Sequence, residues 1–209
     1  METIIYDLVL TLFSIMKIRS VSFDTSFLLK DTYLVDTIFK KIEHDHLPCF
    51  ITATVVSELE QLKVFGRITK SEYKKASIRL KNTHATVIDF KNRLLSDAFG
   101  KACMISMEKY HGVKPNDIIN DCNILISTLK NGVDVFLSED FHFTSKITKE
   151  VIDDVSNVAC SEFHMICNTH LYSVNAETFL AAYKDGDLNL DVVNSRLIDI
   201  RKNGKLLKK

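Results

Sequence analysis

Four carboxylates stand in sequence contexts that could bring them to one place: Asp24 in VSFDTSFLL, Glu58 in TVVSELEQL, Asp121 in NDIINDCNILIS and Asp140 in VFLSEDFHF. Asp117 lies one helical turn before Asp121, which would put both acids on the same face. Ionised carboxylates held close together repel and raise one another's pKa unless a cation neutralises them. An all-oxygen set with no companion His or Cys suits Mg²⁺ or Mn²⁺ better than zinc. Such an ion can activate a water for in-line attack on a phosphodiester and stabilise the charge that develops. This chemistry needs neither a Ser-His-Asp arrangement nor a phosphate-cradling glycine loop, and the sequence contains neither. Taken singly, each acid has a plainer alternative, because an Asp after a strand often only caps the next helix. It is their conjunction that points to metal-dependent hydrolysis.

The elements that must position these acids follow from the residue pattern. Residues 21–23 form a β-prone run that stops at Asp24, with Thr25 and Ser26 placed to cap a helix reaching about residue 41. Residues 49–52 read as the next strand and 54–64 as the helix carrying Glu58, closed by Gly66. A polar helix at 69–82, a strand at 86–90 and a helix at 93–110 follow, and Gly112 and Pro115 mark a break. Asn116 is placed to cap a helix over 117–130, whose buried stripe is Ile118, Cys122, Leu125, Ile126 and Leu129. A strand at 133–137, a loop at 138–143, a helix at 145–155, a strand at 162–167, and helices at 176–183 and 190–203 complete the reading. Strands alternating with helices predict an α/β fold with a mostly parallel sheet covered on both faces. Ligands gather outside the carboxyl ends of such strands, where Asp24 and Asp140 fall.

Composition narrows the class. The 209 residues, 46% hydrophobic and 26% charged, suffice for one α/β domain with embellishments around a substantial core. Lys plus Arg and Asp plus Glu both total 27, so no global charge marks a nucleic-acid or membrane partner. Basic surface must be local, in Lys70, Lys74, Lys75, Arg79 and Lys81 or in Arg201, Lys202, Lys205, Lys208 and Lys209, although such runs are usually solvated faces. The five cysteines are widely spaced and read as reduced thiols of a cytoplasmic protein. The apolar residues between 4 and 16 are interrupted by Asp7 and by polar residues near helical spacing, which predicts an amphipathic helix over 1–19 rather than a signal peptide or membrane span. Its apolar face would cover the protein's own core or pair with a second copy. The chain then divides into this helix, a main α/β domain at 20–185, and a C-terminal helix with a basic tail at 186–209.

Taken in order, FDTSFLL, SELEQL, NDIINDCNILISTLKNGVDVF and LSEDFHF resemble the successive acidic motifs of PIN domains, metal-dependent ribonucleases that include the toxins of toxin-antitoxin pairs. The resemblance spans about residues 21 to 143. It implies a three-layer α/β/α fold around a central mostly parallel sheet, extended here by the N-terminal helix and a C-terminal helical extension. It implies Asp24, Asp121 and Asp140 as ligands of Mg²⁺ or Mn²⁺, direct or through water, and Glu58 as the fourth catalytic acid. Ser26 and Ser138 would be supporting hydrogen-bonders. Asp117 is the variable member, because only some of the family use an acid one turn earlier.

The implied activity is endoribonuclease cleavage of RNA, with Lys74, Lys75 and Arg79 as backbone contacts. The implied partners are RNA, an antitoxin or other regulatory protein, and a second copy of the chain. Two rival readings share the scaffold: a PIN-like module that binds RNA or protein without cutting, and a small-molecule phosphohydrolase with the same metal site. The chain is longer than the compact toxins of the family, with additions before residue 20, at 69–82 and after Phe143. Glu60 and Glu139, beside the motifs, are expected to face solvent. The seven histidines are scattered, and His142, two residues past Asp140, is the one placed to approach a substrate phosphate.

Overall fold

Residues 21–23 (VSF) and 135–137 (VFL) are buried at every position, as central strands of a helix-covered parallel sheet must be. The computed structural model describes residues 14–91, 93–114, 118–163 and 171–197. Along the chain the elements are β1 (Ile15–Lys17), β2 (Val21–Phe23), α1 (Thr25–Leu29), α2 (Tyr33–His44), β3 (Cys49–Thr52), α3 (Ala53–Val64), α4 (Lys70–Asn82) and β4 (Thr86–Ile88). There follow α5 (Arg93–His111), α6 (Ile119–Lys130), β5 (Val135–Leu137), α7 (Phe141–Thr144), α8 (Lys146–Phe163), β6 (Tyr172–Val174), α9 (Ala176–Ala182), β7 (Tyr183–Lys184), β8 (Asp187–Asn189) and α10 (Leu190–Arg196). Strands β2 to β6 form a five-stranded parallel sheet in the order β4-β3-β2-β5-β6, so the fold is α/β.

The order of strands locates the crevice. From β2 the chain steps outward through α1 and α2 to β3, then through α3 and α4 to β4. It returns through α5 and α6 to the other side of β2, forming β5 and, after α7 and α8, β6. Right-handed crossovers place connections on opposite faces when the direction of travel reverses. Accordingly α1, α3 and α4 pack together, and α5 packs against α6 and α8, an arrangement consistent with three layers. The reversal falls between β2 and β5, paired from Val21↔Val135 to Phe23↔Leu137, and their carboxyl ends open the crevice. Beneath it Phe23 and Phe39 pack with ring centroids 5.0 Å apart, and Phe136 meets Phe143 edge-on at 5.1 Å.

Several expected elements take a different form. The helix expected to run unbroken to residue 41 is divided into α1 and α2, and Asp24 rather than Thr25 or Ser26 is the N-cap of α1. The division is held by Thr32, which caps α2 by accepting from Val35 N–H at 3.4 Å, and by Arg79. Arg79 Nη1 donates to the carbonyls of Leu28 (2.6 Å) and Lys30 (3.0 Å), which no longer have a continuing helix to bond. Of the strand expected at 162–167, residues 162 and 163 belong to α8 and 164–167 lie outside the described residues; β6 forms instead at Tyr172–Val174.

The chain also carries a small sheet that the sequence pattern did not anticipate. Residues 15–17, expected to continue an N-terminal helix to residue 16 and beyond, form β1 and pair antiparallel with β8, Ile15↔Asn189 through Lys17↔Asp187. Residues 1–13 lie outside the described part. β7 and β8 form a hairpin whose turn residues Asp185 and Gly186 both have positive φ, 50° and 90°, as a tight Asp-Gly hairpin turn requires. The boundary expected between residues 185 and 186 therefore falls inside a turn. The last described helix is α10, and the basic residues 201–209 lie outside the described part. Among the described residues no helix is long and apolar enough to cross a membrane.

Candidate active site

Asp24 directly follows β2, and its N–H donates to Leu137 O at 2.9 Å, extending the pairing with β5 by one residue. Its side chain is buried, and Oδ2 accepts three hydrogen bonds: Ser26 Oγ at 2.5 Å, Ser26 N–H at 3.2 Å and Ser138 Oγ at 3.1 Å. Burial pushes the Asp24 pKa up, while the two serine hydroxyls pull against it. The same hydroxyls accept from the loop after β5, Ser26 Oγ from Glu139 N–H at 3.1 Å and Ser138 Oγ from Asp140 N–H at 3.0 Å. Asp140 is itself the N-cap of α7, its Oδ1 accepting from His142 N–H at 2.9 Å. Both aspartates thus serve as helix caps, a role compatible with presenting a carboxylate to the crevice.

Glu58, in the second turn of α3, is fixed at both oxygens. Oε2 accepts from Thr25 Oγ1 at 2.6 Å and Oε1 from Asn120 Nδ2 at 2.8 Å, so one carboxylate ties α1 to the start of α6. Asp121 follows Asn120 in the first turn of α6. Its pKa is raised to about 7, first by burial and then by the charges of Asp140, Asp24 and Glu58. Asp24, Glu58 and Asp140, from separate segments, therefore all lie within electrostatic reach of Asp121 near the reversal point of the sheet. Asp117 lies outside the described residues.

The donor chemistry fits a hard divalent cation. The set is all oxygen, and among the described residues no lysine or arginine forms an ion pair with Asp24, Glu58, Asp121 or Asp140. Among the described residues, then, no lysine or arginine is paired with the acids whose charge raises the Asp121 pKa. Among the described residues no group of three or more His, Cys, Asp or Glu side chains is drawn tightly enough to form a ready-made ligand cage.

The expected backbone contacts fare differently. Arg79 does not offer its guanidinium to a ligand: the side chain is 5% exposed, bonds the two α1 carbonyls, and pairs with Asp36 at 2.6 Å. Lys75 Nζ is held between Asp31 (2.5 Å) and Asp36 (3.2 Å). Lys74 is exposed, in a groove between α2 and α4 that also contains Lys40 and Glu43 and none of the four acids. Glu139, expected to face solvent, instead accepts from Ala176 N–H at 2.9 Å and lies 3.8 Å from Lys30 Nζ. Glu60 accepts from the Tyr73 hydroxyl and pairs with Lys63 at 3.4 Å on the surface.

Residues that the motif reading passed over complete the surroundings. Thr25 and Asn120 orient Glu58, and both flank motif acids in sequence, which was the available signal. His142 Nδ1 lies 3.4 Å from Asp140 Oδ1, and the buried His111 at the end of α5 stands 5.5 Å from the His142 ring. Burial, reinforced by His142, lowers the His111 pKa to about 4, so that ring is neutral at pH 7. Nothing in the local sequence links His111 to position 142. Comparison of the chain with protein-family models, with curated proteins and with solved structures yields no match.

Proposed function

We propose that this protein is a PIN-like endoribonuclease dependent on Mg²⁺ or Mn²⁺. The observation that carries the reading is the gathering of Asp24, Glu58 and Asp140 around Asp121, whose pKa is raised to about 7 first by burial and then by their charges. Asp24, Asp121 and Asp140 would hold the cation, directly or through water, and when bound it would supply an activated water and neutralise charge developing on phosphate. The chain's own residues keep this arrangement in place. Ser26 and Ser138 fix the orientation of Asp24 and pull against the effect of its burial, while Thr25 and Asn120 fix the orientation of Glu58.

RNA is favoured over a small phosphate ester because the surface beside Glu58 is a groove lined by the exposed Gln61, Phe65, Arg67 and Asn120, not an enclosed pocket. Buried free thiols at Cys49, Cys103 and Cys122 suit a cytoplasmic location.

The test is cleavage of a labelled mixed-sequence single-stranded RNA with Mg²⁺, Mn²⁺ or EDTA, comparing the wild type with Asp24→Asn and Asp140→Asn. The expected result is metal-dependent cutting that both substitutions reduce by at least about 100-fold. RNA bound but left intact by the wild type would move the reading to a non-cleaving scaffold, and turnover of small phosphate esters alone would move it to a phosphohydrolase.

A further inference from the structure

Glu58, Gln61, Leu62 and Phe65 recur at i, i+3, i+4 and i+7 along α3 and its C-cap, and so form one stripe on that helix. With Arg67 and Asn120 they line a surface groove of about 420 Å³. One end of the groove is Glu58, a member of the acidic cluster, and Asn120, the neighbour of Asp121; the other is Phe65, 72% exposed. The backbone sets the position of Arg67. Gly66 at φ 65° closes α3, its N–H donating to Lys63 O at 3.2 Å and that of Arg67 to Leu62 O at 2.9 Å, which folds Arg67 back beside the stripe. Among the described residues no ion pair or hydrogen bond engages the Arg67 side chain, in contrast to Lys75 and Arg79.

A lone exposed Phe is ordinary. An exposed Phe beside an uncommitted Arg, on a groove lined at one end by Glu58 of the acidic cluster, has a specific chemical match. Aromatic faces stack with unpaired bases, and arginine binds the phosphate between them. The stripe from Glu58 to Phe65 runs roughly 10 Å along the helix axis, about three stacked nucleotide steps.

We propose that this groove is a subsite for single-stranded RNA, in which a base flanking the scissile phosphodiester stacks on Phe65 and its phosphate is held by Arg67. The assignment rests on the nuclease reading and extends it by naming how the strand is held. A duplex has no free base to offer Phe65, so the groove selects single strands.

The test combines anisotropy of a short fluorescein-labelled single-stranded RNA, measured in EDTA, with steady-state cleavage in Mn²⁺, for the wild type, Phe65→Ala, Phe65→Tyr, Arg67→Gln and, as a control, Lys184→Gln on the exposed side of β7. Phe65→Ala and Arg67→Gln should each weaken binding and raise KM by roughly 5- to 50-fold, with kcat within about twofold of wild type. Phe65→Tyr and Lys184→Gln should bind as wild type does, and Arg67→Gln should lower the salt dependence of binding by about one phosphate contact. If the wild type binds and cuts RNA while Phe65→Ala and Arg67→Gln match it, the subsite is overturned and the nuclease reading stands. If the wild type binds RNA through these two residues and cuts under no metal, the subsite stands and the nuclease reading falls. A wild type that neither binds nor cuts RNA overturns both.

Discussion

Ser138 Oγ donates to Asp24 Oδ2 across 3.1 Å, and through that bond the ends of two neighbouring parallel strands share one buried carboxylate oxygen. Ser138→Ala removes one of the two hydroxyls that oppose the effect of burial on Asp24. The Asp24 pKa should then rise further, and Mn²⁺ affinity should fall by roughly 10- to 100-fold, the usual consequence of losing a partner behind a ligand. Calorimetric titration with Mn²⁺ checks this, and unchanged affinity would remove Ser138 from the site.

Asp121 makes stability depend on pH in a defined direction. Its pKa is about 7 in the fold against an ordinary 3.8, so between those values the folded state keeps a proton that the unfolded chain has lost. Metal-free stability should therefore fall as pH rises from about 4 to about 7 and level off above. Asp121→Asn should raise the metal-free Tm by a few degrees at about pH 8 and abolish cleavage. Mg²⁺ should raise the wild-type Tm more at about pH 8 than at about pH 5. Thermal melts across pH, with and without the ion, decide it; a flat metal-free profile would contradict the clustering of the acids.

Arg79 acts on stability. Arg79→Met strands the carbonyls of Leu28 and Lys30 and leaves Asp36 with Lys75 alone, and should cost about 3 kcal/mol in urea unfolding. Lys74→Gln, on an open surface, should change stability by less than about 0.5 kcal/mol. Comparable losses in the two variants would mean that the Arg79 contacts contribute little.

At Gly186, φ is 90°, and a Cβ there would meet no neighbouring atom. The constraint is conformational and not steric. Gly186→Val should cost roughly 1–2 kcal/mol through backbone strain alone, with unchanged cleavage per folded molecule. Chemical denaturation combined with activity titration separates the two effects.

The acids were legible in the sequence because each belongs to a local event: a strand end at Asp24 and Asp140, a helix start at Asp121, a helix turn at Glu58. The parallel sheet followed from alternation of short apolar runs with amphipathic ones. What escaped was non-local. Nothing in the run KKASIRLKN distinguishes the buried Arg79 from its solvated neighbours, because its burial depends on carbonyls freed some fifty residues earlier. The small sheet escaped for the same reason: IMK looks helical beside the residues before it, and becomes a strand only by meeting β8. The Asp-Gly pair at 185–186 is a local hairpin signal, but it falls in the gap between the helices expected at 176–183 and 190–203, where it reads as a simple connection until β8 meets β1.

The pairing of β1 with β8 also bears on biosynthesis. All four acids have been synthesised once residue 140 is in place, and the β2–β5 pairing that seats Asp24 is complete by Leu137. β1, whose sheet neighbour is β8, must wait with unpaired backbone groups until residues 187–189 emerge from the ribosome. In the interval the backbone of residues 15–17 lacks the partner it has in the fold and is open to extended segments of other nascent chains, so translation stalled before residue 187 should raise the yield of aggregates.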